Sequence, residues 1–195
     1  MVPQKAVFNY TARQIARLSS GSGGQKAALA ELRRGVGKEP GEDPGLWGAF
    51  LLDLPEELYG KDGKPSHAEW AIYIALTLYA LHQQGKDPAA DSVSAEGEDL
   101  GKAAAGLAQD QDDRDRILRR FSAMVTAADM RELSHHLRGL VQLMKAKGLR
   151  LDYPALAEDL YWWQFPSRTN QVKLKWGQGF YGAFRDPSTS KEDES

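Results

Sequence analysis

The chain has 195 residues, with 25 Lys and Arg against 27 Asp and Glu, and no cysteine. That composition excludes disulfides and Cys-based zinc sites, and the length suffices to bury a core without covalent staples. The net charge of −2 hides segregation: residues 39–62 hold seven acids and one base, residues 114–150 nine bases and three acids, and residues 186–195 four acids and one base.

Residues 9–18 carry the first helical pattern, and the Gly and Ser cluster at 19–24 breaks it. Ser22 and Gln25 have capping-box spacing for a second helix that runs to Arg34 and stops at Gly35. Residues 36–45 read as a polar loop with two prolines, 46–54 as a short helix and 56–65 as another loop. Ser66 and Glu69 form a capping box for a long helix ending at Gly85. Trp70, Ile72, Ile74, Leu76, Leu78 and Leu81 make that helix apolar on nearly every side, which places it at the centre of a bundle.

Residues 86–94 read as a linker between an N-terminal helical bundle (1–91) and a C-terminal one (95–185). A helix is expected over 96–108. Asp110, Asp112 and Asp113 then put acids at the start of the next helix, where the macrodipole favours them. Its inner face holds Ile117, Leu118, Phe121, Met124 and Val125. Asp129 and Glu132 repeat the capping-box spacing, Met130, Leu133, Leu137, Leu140, Val141 and Met144 follow at helical intervals, and Gly148 stops the helix. Asp152 and Pro154 open a helix to Trp163, residues 164–168 form a proline-containing turn, and a last amphipathic helix covers 169–184. Residues 186–195 are expected to be a disordered acidic tail.

No alternating strand pattern and no fixed-period repeat is found. The expected fold is all-α: two packed helical bundles with about eight or nine helices. The first ten residues lack an apolar region behind a basic end, and the longest apolar run, near 70–81, is too short to span a bilayer. A soluble, cytoplasmic protein is expected, with no membrane partner.

Few motifs suggest catalysis. Gly177, Gly179 and Gly182 match the letters of a dinucleotide-binding loop, but no strand precedes them, and Trp176, Phe180 and Tyr181 around them suit core packing. Residues 97–102 approach a phosphate-loop pattern but have one residue too few between the glycines and no Ser or Thr after Lys102. His135 and His136 project about 100° apart on a helix, so they do not share one metal; His82 reads as a hydrogen-bonded core residue. No nucleophile elbow or acid–base pair emerges, and no cofactor or metal is expected.

The informative signal is basic. Arg131, His135, Arg138, Gln142 and Lys145 fall on one helix face, with no acid in that stripe. The preceding helix adds Arg116, Arg119 and Arg120, the second helix adds Lys26, Arg33 and Arg34, and the last adds Lys173 and Lys175. Arg13 and Arg17 form a further pair on the first helix. A solvated outer face and a phosphate-binding face both fit such stripes. Trp162, Trp163 and Trp176 suit packing better than base stacking, given their apolar neighbours.

Several segments carry a resemblance: residues 29–35 (LAELRRG), 70–85 (WAIYIALTLYALHQQG) and 100–107 (LGKAAAGL). The long run 116–159 contains RILRRF, ELSHHLRGLVQLMK and LDYPALAEDL, and VKLKWGQGFYGAF follows at 172–184. In their order and spacing these resemble the CasB family, the small subunit of the type I-E CRISPR Cascade complex. The resemblance implies two helical bundles and no catalysis. It implies a pair of copies lying beside the guide-bearing backbone subunits and the large subunit, with the basic surface along target DNA, helping to hold the displaced strand of the R-loop. The family's basic positions match Arg33 or Arg34, Arg119 or Arg120, and Arg138; Lys26, Arg131, Lys145, Lys173 and Lys175 extend them by helical geometry. Guide RNA and target DNA are thus expected partners. Two rivals remain: a helical adaptor whose basic face docks acidic proteins, and a nuclease built on Asp152, Glu158 and Asp159.

Overall fold

A computed structural model of the chain describes residues 3–20 and 24–185. The fold is all-α, with nine α-helices and no strand among the described residues. They are α1 (Pro3–Leu18), α2 (Gln25–Arg34), α3 (Trp47–Phe50), α4 (His67–Gln83), α5 (Leu100–Ala105), α6 (Gln111–Val125), α7 (Met130–Lys147), α8 (Tyr153–Trp163) and α9 (Pro166–Gly182). The expected acidic tail lies outside the described residues.

α4 is the central helix that its apolar sequence implies. Residues 71–80 are all buried, because α1, α2, α7 and α8 pack around them. Its capping box is fully formed: Ser66 Oγ accepts the Glu69 N–H at 2.9 Å, and Glu69 Oε2 accepts the Ser66 N–H at 2.7 Å. Glu69 also accepts the Gly60 N–H, which ties the preceding loop to the helix start. The other capping boxes differ. Gly24 caps α2 without a side-chain bond, and Ser22 lies outside the described residues. At α7, Asp129 accepts the N–H groups of Arg131 and Glu132, but the Glu132 carboxylate takes the N–H of Ala128, one residue before the cap.

Helix lengths depart from the sequence pattern where tertiary contacts decide. α1 begins at Pro3, six residues early, because Ala6, Val7 and Tyr10 bury against α8 and α4. The helix expected over 96–108 shrinks to α5 because residues 93–98 are strapped to the start of α8. The Leu151 N–H donates to Val93 O, the Asp152 N–H to Glu98 O, and the Gly97 N–H to Asp152 Oδ2. α3 stops at Phe50, and two short 3₁₀ turns, Pro44–Leu46 and Glu56–Leu58, flank it. α9 starts at Pro166 rather than 169, since proline fits the first helical turn. Gly148 ends α7 in the left-handed region, at φ 67°, as its position implies.

Packing crosses the expected boundary near 91–95: α8 lies against α1 and α4 as well as α9, and α7 against α4 as well as α6. The buried apolar side chains join into a single cluster running from Ala6 to Phe180. Across this shared core, His82 Nδ1 sits 3.0 Å from the Tyr153 hydroxyl, the hydrogen-bonded role expected of it. Among the described residues, no helix is long and apolar enough to cross a membrane.

Candidate nucleic-acid interface

α2 and α7 both lie along α4, in opposite directions. At one end the Tyr73 hydroxyl of α4 donates to Gly35 O, just past α2. At the other, Lys26 at the start of α2 acts on Asp87, beyond the end of α4. α7 runs parallel to α4. Its Arg131, Ser134, His135 and Arg138 share a notch with Trp70, in the first turn of α4. Its Lys145 Nζ donates at 2.9 Å to Gln84 Oε1, at the other end of α4.

The loop after α2 closes the arrangement. Gly37 has φ +85°, and a Cβ there would lie 3.8 Å from the Arg138 guanidinium. A glycine therefore lets the backbone turn left-handed directly beside Arg138. Two helices that pack on α4 thus carry bases, Arg138 and Lys145 on α7 and Lys26 and Arg33 on α2, and together these form the candidate α2–α7 track. Lys86 lies near Lys145, since both act on the buried His82, but its ammonium is paired with Asp91 at 3.0 Å. The sequence had put Lys86 in a linker; its closeness to Lys145 depends on how α4 and α7 pack.

Several expected residues are spoken for by carboxylates. The α7 stripe reads as free of acids, yet Glu39 reaches from the loop after α2 to pair with Arg131. Arg116 turns onto Asp113 of its own helix. Arg34 has no carboxylate in ion-pair range among the described residues; it stands near Asp43, whose carboxyl is held below the usual range chiefly by Lys38 and the Gly45 N–H and least by Arg34. Lys175 Nζ lies 2.7 Å from Asp159 Oδ1, and the Trp176 indole donates to Asp159 Oδ2 at 2.8 Å. Burial nonetheless pushes the Asp159 carboxyl above its ordinary value. Lys175 and Lys173 sit on α9, which packs chiefly on α5 and α8, away from the α2–α7 track.

Lys26, Arg33, Arg119, Arg120, Arg138 and Lys173 have no carboxylate partner in ion-pair range among the described residues. Arg119 and Arg120 are exposed on α6, which packs on α7, so they stand one helix further from α4.

The remaining candidates have structural work. Trp163 and Trp176 are buried, and the Arg168 guanidinium lies 5.1 Å from the Trp162 ring. Gly177, Gly179 and Gly182 lie within helix α9, where Gly179 packs against the Asp99 carboxylate. Asp152 caps α8 through the Ala155 N–H and holds Gly97. No group of three or more metal-ligating side chains occurs among the described residues. Trp70 is what the sequence reading missed: it reads as one more core residue of α4, yet it is only partly buried and lines the notch beside Arg138.

Comparison with known proteins gives consistent results. The family described as CRISPR-associated protein Cse2 matches residues 28–181. CasB from Thermobifida fusca has a similar structure, with a TM-score of 0.74 and 32% identity over 90% of this chain and 98% of that one. CasB from Thermus thermophilus gives 0.68 and 26% over 94% and 100%. CasB from M. ruber gives 0.64 and 25% over 89% and 93%. No curated protein is significantly similar to the chain.

Proposed function

The chain belongs to the CRISPR-associated Cse2 family, and from that premise we propose that it is a non-catalytic small subunit of a type I-E Cascade complex that holds nucleic-acid backbone along the α2–α7 track. What supports this reading is that two separate helices packed on α4 carry cations with no carboxylate in ion-pair range among the described residues: Arg138 and Lys145 on α7, Lys26 and Arg33 on α2.

Cations so placed neutralise successive phosphates and release counterions, which gives affinity without sequence preference. Arg138 adds a planar fork that matches phosphate oxygens. R-loop formation exchanges one duplex for another at nearly equal free energy, so a modest grip on the opened strands tips the balance. The partners are the backbone and large subunits, the guide RNA, the target DNA and a second copy of the chain.

The test is R-loop lifetime in the complex assembled with guide RNA, for several guide and target pairs. Arg138→Ala and Arg119→Ala variants shorten it by a similar factor on every target. A loss confined to particular sequences, or no loss, overturns the backbone-holding reading.

A further inference from the structure

The notch at the N-terminal end of α4 differs from the rest of the basic track, because an aromatic face and an internal carboxylate meet the cations there. It has a volume of about 350 Å³ and is lined by Gly37, Glu39, Trp70, Arg131, His135 and Arg138 among others. That volume falls in the ordinary range for small-ligand sites. We propose that this notch is a subsite for one unpaired nucleotide, with Trp70 as the stacking face, Arg138 and Arg131 as the phosphate clamp, and Glu39 as a counter-ion that phosphate displaces. The proposal rests on the nucleic-acid reading above and adds to it a preference for single strands.

Three features argue for it. First, Trp70 packs against the core while also lining the notch, and its indole N–H donates no hydrogen bond among the described residues. Trp176, by contrast, is fully buried with its indole committed to Asp159. A partly exposed indole set among cations suits an unpaired base, whose flat face stacks whatever its identity.

Second, the Arg138 guanidinium has no carboxylate in ion-pair range among the described residues, although Glu39 and Glu42 line the same notch. It is available to an incoming phosphate.

Third, Arg131 is already paired, and its partner is a carboxylate on a loop. The planar guanidinium fork accepts carboxylate and phosphate oxygens in the same geometry. Glu39 therefore occupies the place a phosphate would take, and the two compete. Glu39 weakens binding by this competition and by like-charge repulsion, and it leaves the empty site electrostatically satisfied. A stacked base pair in a duplex offers no free face to Trp70, so the indole contributes only to single strands.

The test uses the full chain, with fluorescently labelled oligothymidylate, oligouridylate and a blunt DNA duplex of equal length, titrated at one low salt concentration. Trp70→Ala weakens single-strand binding by at least about five-fold, the lower end of the range for losing one base–aromatic stack, and leaves duplex binding unchanged. Trp70→Phe restores most of the loss. Glu39→Gln, a surface change that leaves the fold intact, tightens all three probes several-fold. The two single-stranded probes separate a DNA occupant from an RNA one.

Equal losses on duplex and single strand for Trp70→Ala, or no loss, overturn the subsite. So does unchanged or weaker binding by Glu39→Gln. Lys145→Ala, outside the notch, keeps the two readings apart: if it weakens binding while the Trp70 variants do not, the track stands and the subsite falls. If the unmodified chain binds none of the probes, both fall.

Discussion

Gly101 of α5 lies so close to Trp176 of α9 that a Cβ on the glycine would overlap the Trp176 carbonyl oxygen. Nearby, Gly179 of α9 packs against the Asp99 carboxylate, so a glycine from each helix admits the other. This contact seats Trp176 and Phe180 with no exposed surface. Both backbones belong to packed helices, and neither yields as the end of a flexible side chain would. Gly101→Ala is expected to destabilise the fold by about 1–3 kcal/mol in urea unfolding. Gly177, one residue past Trp176, has open space where a Cβ would go. Gly177→Ala is expected to stabilise by about 0.5–1 kcal/mol through helix propensity. Opposite signs at glycines on the same pair of helices separate close packing from a general intolerance of alanine.

His82 makes stability depend on pH. Burial lowers its pKa from 6.5 to about 4, and Lys86 and Lys145 push the same way. Between those values the unfolded chain binds a proton that the folded chain refuses, so stability is full above 6.5 and is lost as pH falls toward 4. The displacement corresponds to about 3 kcal/mol. His82→Gln, which stays neutral, is expected to flatten the slope of unfolding free energy against pH across that window. A variant with the wild-type slope would place the titration elsewhere.

Lys175 and Asp159 give a dependence of the opposite sense. Burial raises the Asp159 carboxyl pKa in the folded chain, and Lys175 counters that rise. Lys175→Met removes the counter-charge, so the folded-state pKa climbs further. In the window above the ordinary carboxylate value the folded chain then holds a proton that the unfolded one has released, and stability falls as pH rises through it. The Lys175 side chain is half exposed, at 50%, which reduces the loss below that of a fully buried pair. The expected deficit is about 1–2 kcal/mol at pH 7, shrinking as pH drops toward 4, measured by denaturant unfolding at both pH values.

These residues mark what a sequence discloses. α4 was legible because both of its signals are local: Ser66 and Glu69 at capping distance, and apolar residues on all sides. Gly148 and the cap Asp152 were legible for the same reason. α5 was overestimated because residues 93–98 find their hydrogen-bond partners at 151 and 152, some fifty positions away. The site divides along the same line. Helical spacing put Arg131, Arg138 and Lys145 on one face, but spacing within a helix carries no information about a loop that folds over it. Glu39 and Gly37 reach α7 only because α2 and α7 are both laid on α4, and that packing also turns Trp70 from a core residue into part of a notch.

The ion pairs that divide the basic residues also predict how each affects binding to single-stranded nucleic acid. A cation already neutralised by the protein's own carboxylate releases few counterions from the strand, whereas an unpaired one releases its full share. Each phosphate contact on a single strand contributes about 0.7 to the slope of log affinity against log salt. Removing Arg138 and Lys145 together, from one face of α7, is expected to lower the slope by about 1.4, with affinity lost equally for every sequence. Lys175→Ala leaves the slope unchanged, because its ammonium is committed to Asp159 on another side of the molecule. Arg116→Ala, paired with Asp113 on its own helix, has a small effect, and Arg119→Ala, with no carboxylate in reach, a larger one. The measurement is fluorescence anisotropy of a labelled oligonucleotide from low to physiological salt. If Lys175→Ala lowers the slope as far as Arg138→Ala does, the cations act as a diffuse charge rather than a track, and the role assigned to α2 and α7 falls.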